Sequence, residues 1–327
     1  MFVEKLVQFL HEVDRDIKDD ERDKRYADRD KKLPDDITVD ALHDHGATQH
    51  VAECVSATNQ NGASFSTQMI QEPKIEVLGP VTKREQLWRI EVELDCPGRY
   101  NMERDEEITR DLIENEDSPN CLRLYSWKPS SISLGYQQSV ESIDVEACRS
   151  AGIDIVRRPT GGRAVLHANE LTYAVALRSD ASDGIAAVHN TITLAILHGL
   201  QQLGNGEELT ITSGSSKIRD AYMPGEISNL ACFASIARHE VTYRGRKIMG
   251  SAQRRFGDVV LQHGSIPLGP EHLRLPDFMA IPDDRKAAMS RLLIKETATL
   301  SDVFGRSITV SEAADCVARH FVEHICS

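Results

Sequence analysis

A short loop with two adjacent glycines and three arginines constrains this chain more than any other segment. Residues 157–167 read RRPTGGRAVLH and lie between two apolar segments that have the length and pattern of strands. Gly161 and Gly162 permit positive φ angles and allow a ligand to lie directly against the backbone. Positive charge at this turn suits a phosphate, a carboxylate or a thioester carrier. The charged side chains are Arg157, Arg158 and Arg163.

The loop alone leaves other interpretations open. Its composition also fits a tight β-turn with surface arginines. It contains neither GxGxxG nor GxxxxGK[ST], so it is not a dinucleotide-binding fingerprint or a P-loop. His167, at its end, can titrate near neutral pH. That histidine could act as a base or equally as a hydrogen-bonded structural residue.

The composition favours a globular protein that binds neither nucleic acid nor a membrane. Of the 327 residues, 40% are hydrophobic and 27% are charged, and the net charge is −13. An acidic chain is a poor general partner for nucleic acid, because phosphate contacts need clustered Lys and Arg. No apolar run approaches the length of a bilayer, and the N-terminus lacks a signal-peptide pattern. We therefore expect a cytoplasmic protein.

The seven cysteines do not suggest a structural framework. They are odd in number, widely spaced and without a CxxC pair. This pattern argues against a disulfide scaffold and against a zinc ribbon. We expect most of them to be small buried hydrophobic residues, and we expect no bound metal.

The chain divides near residue 85. In the N-terminal extension, 1–85, residues 2–17 have the spacing of an amphipathic helix. Residues 14–32 carry charges of alternating sign, and residues 56–73 are polar, like a linker or a flexible loop. We find no chemistry in this extension, and its role is unknown.

Residues 86–327 are predicted to form an α+β catalytic domain. Strands occur in hairpins and helices in separate blocks, which favours a mixed, largely antiparallel sheet with flanking helices. The predicted strands are 88–94, 122–127, 132–136, 153–156, 171–177, 240–243, 247–250 and 259–268. The predicted helices are 101–114, 140–151, 185–203 and most of 271–327.

A second candidate site lies in residues 228–266. A cysteine nucleophile needs a lowered thiol pKa, which a nearby cation supplies. Cys232 precedes a predicted strand, and Lys247 lies on the next one, so a hairpin could bring them together. The small residues 250–252 would let backbone amides approach a substrate carbonyl. Taken singly, Cys232 also fits a core residue and Lys247 a solvent-exposed lysine.

The order of these motifs resembles the family of lipoate–protein ligase A and the octanoyltransferases, which has the biotin/lipoate ligase-like fold. Similarity is greatest to octanoyltransferases of the LipM type and covers roughly residues 88–327. Several motifs in one order are more specific than any single motif. The matching segments are YNMERDE at 100–106, RLYSW at 123–127, LGYQ at 134–137, RRPTGGRAVLHANELTY at 157–173, Cys232-Phe233, KIMGSAQ at 247–253 and LQHGSI at 261–266.

The resemblance implies octanoyl transfer through a thioester. Cys232 matches the cysteine that takes octanoyl from octanoyl-acyl carrier protein, and Lys247 matches the lysine that lowers its pKa. The acyl group would then pass to a lysine of a lipoyl domain, such as the glycine-cleavage H protein, without a cofactor. The substrate-binding residues implied are Arg158, Gly161, Gly162, Arg163, Ala164, Val165, His167, Gly250, Ser251, Ala252 and His263.

The main alternative is an ATP-dependent lipoate–protein ligase, which would need ATP and Mg²⁺ and in which Cys232 would be incidental. Such ligases share the glycine loop and the lysine, and many carry an accessory domain after the catalytic one. The chain ends at Ser327, soon after the catalytic domain of the family, which favours the transferase. A third branch moves octanoyl from the H protein but has a different glycine loop. A binding module that has lost catalysis is also open.

Overall fold

The computed structural model describes residues 76–78, 87–180, 182–204, 206–212 and 240–325. The helix predicted at 2–17, the charged run at 14–32 and the polar segment at 56–73 lie outside the described residues. In the part of the chain that the structure describes, no helix is long and apolar enough to cross a membrane.

Twelve strands can be assigned in the described residues, and they form three sheets. The largest sheet has the order β1–β2–β3–β7–β12–β11. Its β2 and β3 run parallel, and its other neighbours run antiparallel. The strands are β1 Glu76–Leu78, β2 Trp88–Cys96, β3 Asn120–Trp127, β4 Ser131–Leu134, β5 Asp154–Arg157, β6 Val165–His167, β7 Glu170–Arg178, β8 Leu209–Ile211, β9 Val241–Tyr243, β10 Arg246–Lys247, β11 Gly250–Phe256 and β12 Val259–Pro267.

The two smaller sheets have three strands each. The first has the order β5–β4–β6, with β4 parallel to β5 and antiparallel to β6. The second has the order β10–β9–β8 and is antiparallel. The mixed, largely antiparallel α+β architecture predicted from the sequence is thereby confirmed.

Six α-helices and three 3-10 helices accompany the sheets in the described residues. Helix α1 connects β2 to β3, and α3 and α6 pack against each other. The α-helices are α1 Gly98–Glu114, α2 Val145–Ala151, α3 Ile185–Gln201, α4 Asp283–Glu296, α5 Leu300–Phe304 and α6 Val310–Ile325. The 3-10 helices are Val140–Ser142, Gly206–Glu208 and Pro270–Phe278.

The two faces of the large sheet differ in chemistry, because side chains alternate along each strand. Leu122 and Leu124 of β3 and Tyr173 of β7 belong to an apolar cluster that includes residues of α3 and α6. The alternate residues of β3 include Arg123 and Tyr125, which contact α1 instead. One face therefore makes the main core, and the other carries polar groups. A second, smaller core surrounds the β5–β4–β6 sheet and includes Leu275 and Met289.

Two predicted elements are divided in the structure. The helix predicted at 140–151 is a 3-10 turn followed by α2, because the Asp144 side chain accepts a hydrogen bond from Ala147 N (3.0 Å) and starts a new helix. The strand predicted at 247–250 is also divided. Lys247 ends β10, and Gly250 begins β11 in a different sheet. Between them, Ile248 and Met249 are fully buried.

Candidate functional site

A pocket lies on the polar face of the large sheet, and its empty space, including the part open to solvent, is about 390 Å³. The lining comes from α1, from the large sheet, from the β5–β4–β6 sheet and from the glycine loop that joins β5 to β6. The residues are Met102, Tyr125, Trp127, Ser133, Arg158, Val165, His167, Thr172, Gly250, Ser251, Ala252, His263, Gly264 and Ser265.

Strand register brings distant parts of the sequence together at this pocket. Directly paired residues share one face of a sheet, so a row of pairs forms a line across the strands. One such row is Tyr125, Thr172, Ser265 and Gly250. The next row is Arg123, Ala174, His263 and Ala252. The two rows supply much of the side of the pocket that the sheet forms.

Glu170 is the centre of a buried polar cluster beside the pocket. Its Oε1 lies 2.7 Å from His167 Nδ1 and accepts a hydrogen bond from Thr172 Oγ1 (2.5 Å). Its Oε2 accepts a hydrogen bond from Ser265 Oγ (2.5 Å). The glutamate is 2% exposed. These partners compensate the burial of its charge.

The His167 side chain contacts Trp127 and Ser133 as well as Glu170. Its ring stacks on Trp127, with centroids 4.0 Å apart and an interplanar angle of 12°. The Trp127 indole N–H donates to Thr172 Oγ1 (2.7 Å), which links the stacked ring to the same cluster. On the other side of the imidazole, Nε2 lies 2.7 Å from Ser133 Oγ. Arg158 Nη1 also donates to that hydroxyl (3.1 Å).

A second histidine, His263, has a similar set of neighbours. Its Nδ1 lies 3.3 Å from Asp105 Oδ2, and its Nε2 is hydrogen-bonded to Thr160 Oγ1 in the glycine loop. Burial lowers the pKa of His263, although the hydrogen bond and charge of Asp105 oppose that shift. Burial acts to raise the pKa of Asp105, but His263 and the charge of Arg123 bring it below its usual value. The pair therefore consists of a neutral imidazole and a carboxylate near neutral pH.

Asp105 belongs to a buried ionic network between α1 and the sheet. Arg123, which is 0% exposed, donates to Asp105 Oδ1 (2.8 Å) and to Glu93 Oε2 (2.5 Å). The Asn101 side chain and the Tyr125 hydroxyl add further hydrogen bonds. A buried charge that loses its partner costs about 3–5 kcal/mol. The network therefore fixes α1, and with it Asp105, relative to the sheet.

The glycine loop is held by its own arginines. Arg158, which is 5% exposed, donates to the carbonyls of Ser133 (2.9 Å), Gly161 (3.1 Å) and Arg163 (2.7 Å). Arg157 donates to three backbone carbonyls of residues 135–138. Gly162 has φ = 103°, a backbone conformation that glycine permits. Its carbonyl lies so close to Gly135 that a Cβ at that position would overlap it.

Lys247 is 2% exposed, and its Nζ donates to Glu240 Oε1 (2.6 Å). It therefore lies in the interior rather than in solvent. Cys232, its expected partner, lies outside the described residues. The catalytic pairing of Cys232 with Lys247 stays a prediction.

The structure brings part of the predicted substrate-binding set together. Seven of those residues line the pocket: Arg158, Val165, His167, Gly250, Ser251, Ala252 and His263. Gly161, Gly162 and Arg163 lie in the loop beside them, and Ala164 is buried in the smaller core. Whether these residues bind substrate stays a prediction.

Sequence reasoning left out several residues that the geometry places at the site. Trp127, Glu170 and Ser265 lie in motifs that carried the family resemblance, so those motifs were a usable signal. Asp105 also lies in such a motif, in α1. Thr172 lies in the 157–173 motif as well. Ser133 lies in none of these motifs, and the pairing of β4 with β6 brings it to the pocket.

The described residues contain no group of three or more His, Cys, Asp or Glu that could hold a metal ion. Four cysteines fall within those residues, and each is free and buried, as predicted. They are Cys96, Cys121, Cys148 and Cys316. Burial is the largest cause that raises the pKa of each of these thiols. None of the four therefore has the lowered pKa of a reactive thiol.

Comparisons with known proteins identify the family of this chain. A family model described as the lipoyl protein ligase A/B catalytic domain matches residues 97–322. Octanoyltransferase LipM of Moorella thermoacetica is 40% identical over 230 residues, covering 68% of this chain and 80% of the relative. Octanoyltransferase LipM of Symbiobacterium thermophilum is 37% identical over 242 residues, covering 72% and 85%.

Among solved structures, a bi-partite lipoate protein ligase from Thermoplasma acidophilum superposes with a TM-score of 0.54 at 22% identity. The match covers 72% of this chain and 82% of that chain. Similarity at this level concerns the fold, and it confirms the fold class expected from the sequence.

Proposed function

Because the chain belongs to the lipoyl protein ligase A/B catalytic-domain family, we propose that it is an octanoyltransferase of protein lipoylation. Octanoyltransferases LipM of several bacteria are 31–40% identical to it over the aligned residues. The substrate pair in the proposal is octanoyl-acyl carrier protein as donor and a lysine of a lipoyl domain as acceptor. The glycine-cleavage H protein is one such acceptor.

The observation that supports the proposal is the pocket between the large sheet and the β5–β4–β6 sheet. Its lining combines the large side chains Met102, Tyr125 and Trp127 with hydroxyl and imidazole groups. A pocket of this kind suits an acyl chain that ends in a reactive carbonyl. The motifs at 157–173, 247–253 and 261–266 all contribute residues to it, which is what a shared acyl-binding function would require.

The chemical step in the proposal is nucleophilic. The thiolate of Cys232 attacks the octanoyl thioester, and the acyl carrier leaves as a thiol. Lys247 supplies the positive charge that favours the thiolate. Its support is indirect: the lysine is buried and paired with Glu240, the first described residue after the segment that contains Cys232. The acyl group then moves to the acceptor lysine as an amide.

This route needs no ATP and no metal, because the donor thioester is already activated. We therefore propose that the enzyme works without a cofactor. We also propose that residues 86–327 are the catalytic domain, that 1–85 is an extension to it, and that the enzyme works in the cytoplasm with the donor and acceptor as its protein partners. An ATP-dependent lipoate–protein ligase is the competing activity.

The proposal is tested by incubating the full chain with octanoyl-acyl carrier protein in the absence of ATP. We expect an octanoyl adduct in the intact mass, and we expect the adduct to vanish in Cys232→Ala. The matched control is Cys316→Ala, which removes a buried thiol of α6 and should leave the adduct unchanged. Addition of a lipoyl domain should then discharge the adduct and increase the mass of the domain.

A different result would overturn the proposal. If no adduct forms, and a lipoyl domain is modified only with ATP and lipoate, the chain is a ligase. If Cys232→Ala keeps full ATP-independent transfer, the thioester route is wrong even though the transfer activity stands.

A further inference from the structure

The hydrogen bonds around Glu170 fix the protonation state of the groups beside the pocket. The Trp127 indole N–H can only donate, so the Thr172 oxygen accepts from it (2.7 Å). The Thr172 hydrogen is then free to point at Glu170 (2.5 Å). With a second hydroxyl donor at its other oxygen, Glu170 is an ionised acceptor. It follows that His167 carries its proton on Nδ1, which faces Glu170 at 2.7 Å.

The other ring nitrogen is fixed in the same way. Arg158 can only donate, so the Ser133 oxygen accepts from its Nη1 (3.1 Å). The Ser133 hydrogen is then available to His167 Nε2 at 2.7 Å. With its proton on Nδ1, His167 offers Nε2 as an acceptor to the Ser133 hydroxyl, and both residues line the pocket. Hydroxyl, imidazole and carboxylate thus form one hydrogen-bonded relay.

The second histidine has a related arrangement but a different place. His263 lies between Asp105 and the hydroxyl of Thr160. Thr160 is a residue of the glycine loop and is not part of the pocket lining, although His263 itself is. That arrangement anchors the loop to the sheet. Of these two arrangements, the His167 relay is the one that presents its hydroxyl to the pocket.

The proposed transfer leaves one chemical demand unmet. A lysine side chain reaches the enzyme as an ammonium, with a pKa near 10.4, and only the neutral amine can attack a thioester. Two protons must leave its nitrogen before the amide is complete. A positioned base that removes one of them accelerates such a step roughly 10²–10⁴-fold.

We propose that His167, oriented by Glu170 and reached through the Ser133 hydroxyl, is the base that deprotonates the acceptor lysine. This inference rests on the proposed function. The ammonium gives a proton to Ser133 Oγ while the Ser133 hydrogen passes to His167 Nε2. The nitrogen then forms its bond to the acyl carbon and the carbon–sulfur bond breaks. The second proton of the nitrogen goes to the leaving thiolate. The products are an amide, a thiol and an imidazolium, which returns its proton to solvent.

The charges around the relay suit this role. Glu170 stabilises the imidazolium that forms, as a carboxylate does in a catalytic triad. Arg158 places a positive charge beside Ser133, which disfavours a second cation there and eases deprotonation of the incoming ammonium. Burial lowers the pKa of His263, so this second histidine of the pocket lining adds no competing charge near neutral pH. Glu170 is accordingly a positioning residue, and His167 is the catalytic one.

The test separates the two half-reactions. The full chain is loaded with octanoyl from octanoyl-acyl carrier protein, and single-turnover transfer to a lipoyl domain is then followed by intact mass. In His167→Gln and Glu170→Gln we expect loading to slow much less than transfer, because loading needs no base for an amine. We expect transfer to slow by roughly 10²–10⁴-fold. Normal loading also demonstrates that each variant is folded.

Further variants define the relay. Ser133→Ala removes the hydroxyl and leaves the His167–Glu170 pair intact, so it should slow transfer but not loading. Glu170→Asp keeps the carboxylate and should recover part of the rate that Glu170→Gln loses. His272→Gln is the matched control, because His272 is a buried histidine that contacts Thr297 and Gly269, outside the pocket lining. It should slow neither half-reaction.

The pH profile gives a readout that a structural role would not move. The wild-type transfer rate should level off well below the pKa of a free lysine, because a positioned base removes the proton of the bound ammonium. In His167→Gln the rate should keep rising toward the pKa of a free lysine, about 10.4. Equal slowing of both half-reactions, unchanged transfer, or a profile that still levels off would overturn the inference alone. Failure of the wild-type chain to load would overturn the proposed function and this inference with it.

Discussion

Gly135 and Gly162 come from different loops and meet backbone to backbone. The contact has no room for a side chain on Gly135, because its Cβ would overlap the carbonyl of Gly162. Gly161, the next residue in the chain, has nothing within 4 Å of the place where its Cβ would be. Gly161 and Gly162, which are neighbours in one motif, therefore have different structural roles. Gly162 closes the loop against the protein, and Gly161 leaves one position open.

Substitution of these glycines should separate the two effects. Gly135→Ala forces two backbone segments apart, and overpacking of this kind costs about 1–3 kcal/mol. We expect urea unfolding to show that loss, together with a lower kcat/KM, since the loop carries Thr160 and Arg158. Gly161→Ala should keep the free energy of unfolding within about 0.5 kcal/mol. A fall in kcat/KM for Gly161→Ala would then report a ligand that lies on the loop. Equal free energies of unfolding for Gly135→Ala and Gly161→Ala would contradict the different packing described for these two glycines.

At the scale of elements, α3 and α6 are held together by a close approach. A Cβ on Gly199 of α3 would lie 2.8 Å from Val317 Cα of α6. The Cys316 thiol of α6 also donates to the carbonyl of Gly199 (3.3 Å). This helix pair covers the apolar face of the large sheet, so its spacing decides how well that core is packed.

Gly199→Ala should therefore destabilise the protein even though alanine favours a helix by about 1 kcal/mol over glycine. The clash is with backbone, so the helices must separate, and we expect a net loss of about 1–2 kcal/mol in urea unfolding. Thr191→Ala, an exposed position on the same helix, is the control and should stay within about 0.5 kcal/mol. A Gly199→Ala variant as stable as the wild type would contradict this prediction, because α3 and α6 would then separate without a loss in the free energy of unfolding.

Elements with a clear apolar period could be predicted from the sequence, and those without one could not. Strands β2, β3, β7 and β12 alternate or carry long apolar runs, and each was predicted close to its observed bounds. Strand β11 reads GSAQRRF and has no such pattern. It is a strand because it pairs with β12 along seven residues. Context of this kind is a tertiary property that no local window contains.

The same limit explains which parts of the site were found. His167 and His263 could be singled out, because imidazoles within ordered motifs are visible in the sequence. Their partners could not be matched to them. Ser133 reaches His167 across the β4–β6 pair, and Asp105 reaches His263 from α1. Contacts between distant segments depend on strand register and helix placement, which only the assembled fold defines.

At the scale of the whole molecule, two buried histidines make stability depend on pH. Burial lowers the pKa of both His263 and His272 below 6.5, despite opposing effects of Asp105 on the first and of the Gly269 carbonyl on the second. The unfolded chain takes up these protons near pH 6.5, whereas the folded chain takes them up only at lower pH. The unfolded state then binds more protons, so stability falls as the pH falls.

We therefore expect the free energy of unfolding to decrease as the pH is lowered from 7.5 through about 6.5 and below, by up to about 1.4 kcal/mol per pH unit for each histidine. Urea titrations at several pH values measure the slope. His272→Gln should reduce the slope, because one of the two imidazoles with a lowered pKa is gone. His324→Gln, at an exposed position of α6, should leave it unchanged. A slope equal to wild type in His272→Gln would contradict this origin.

The stacking of Trp127 on His167 has an optical consequence. The chain contains two tryptophans. Trp88 packs edge-on against Phe321 in the main core, whereas Trp127 lies 4.0 Å from the imidazole of His167. An excited indole passes an electron to an imidazolium more readily than to a neutral imidazole, so its emission depends on the charge of the ring beside it. The fluorescence of the unlabelled enzyme thus contains a reporter of the charge on His167 against a steady background from Trp88, and stopped-flow emission could follow that charge within a single turnover.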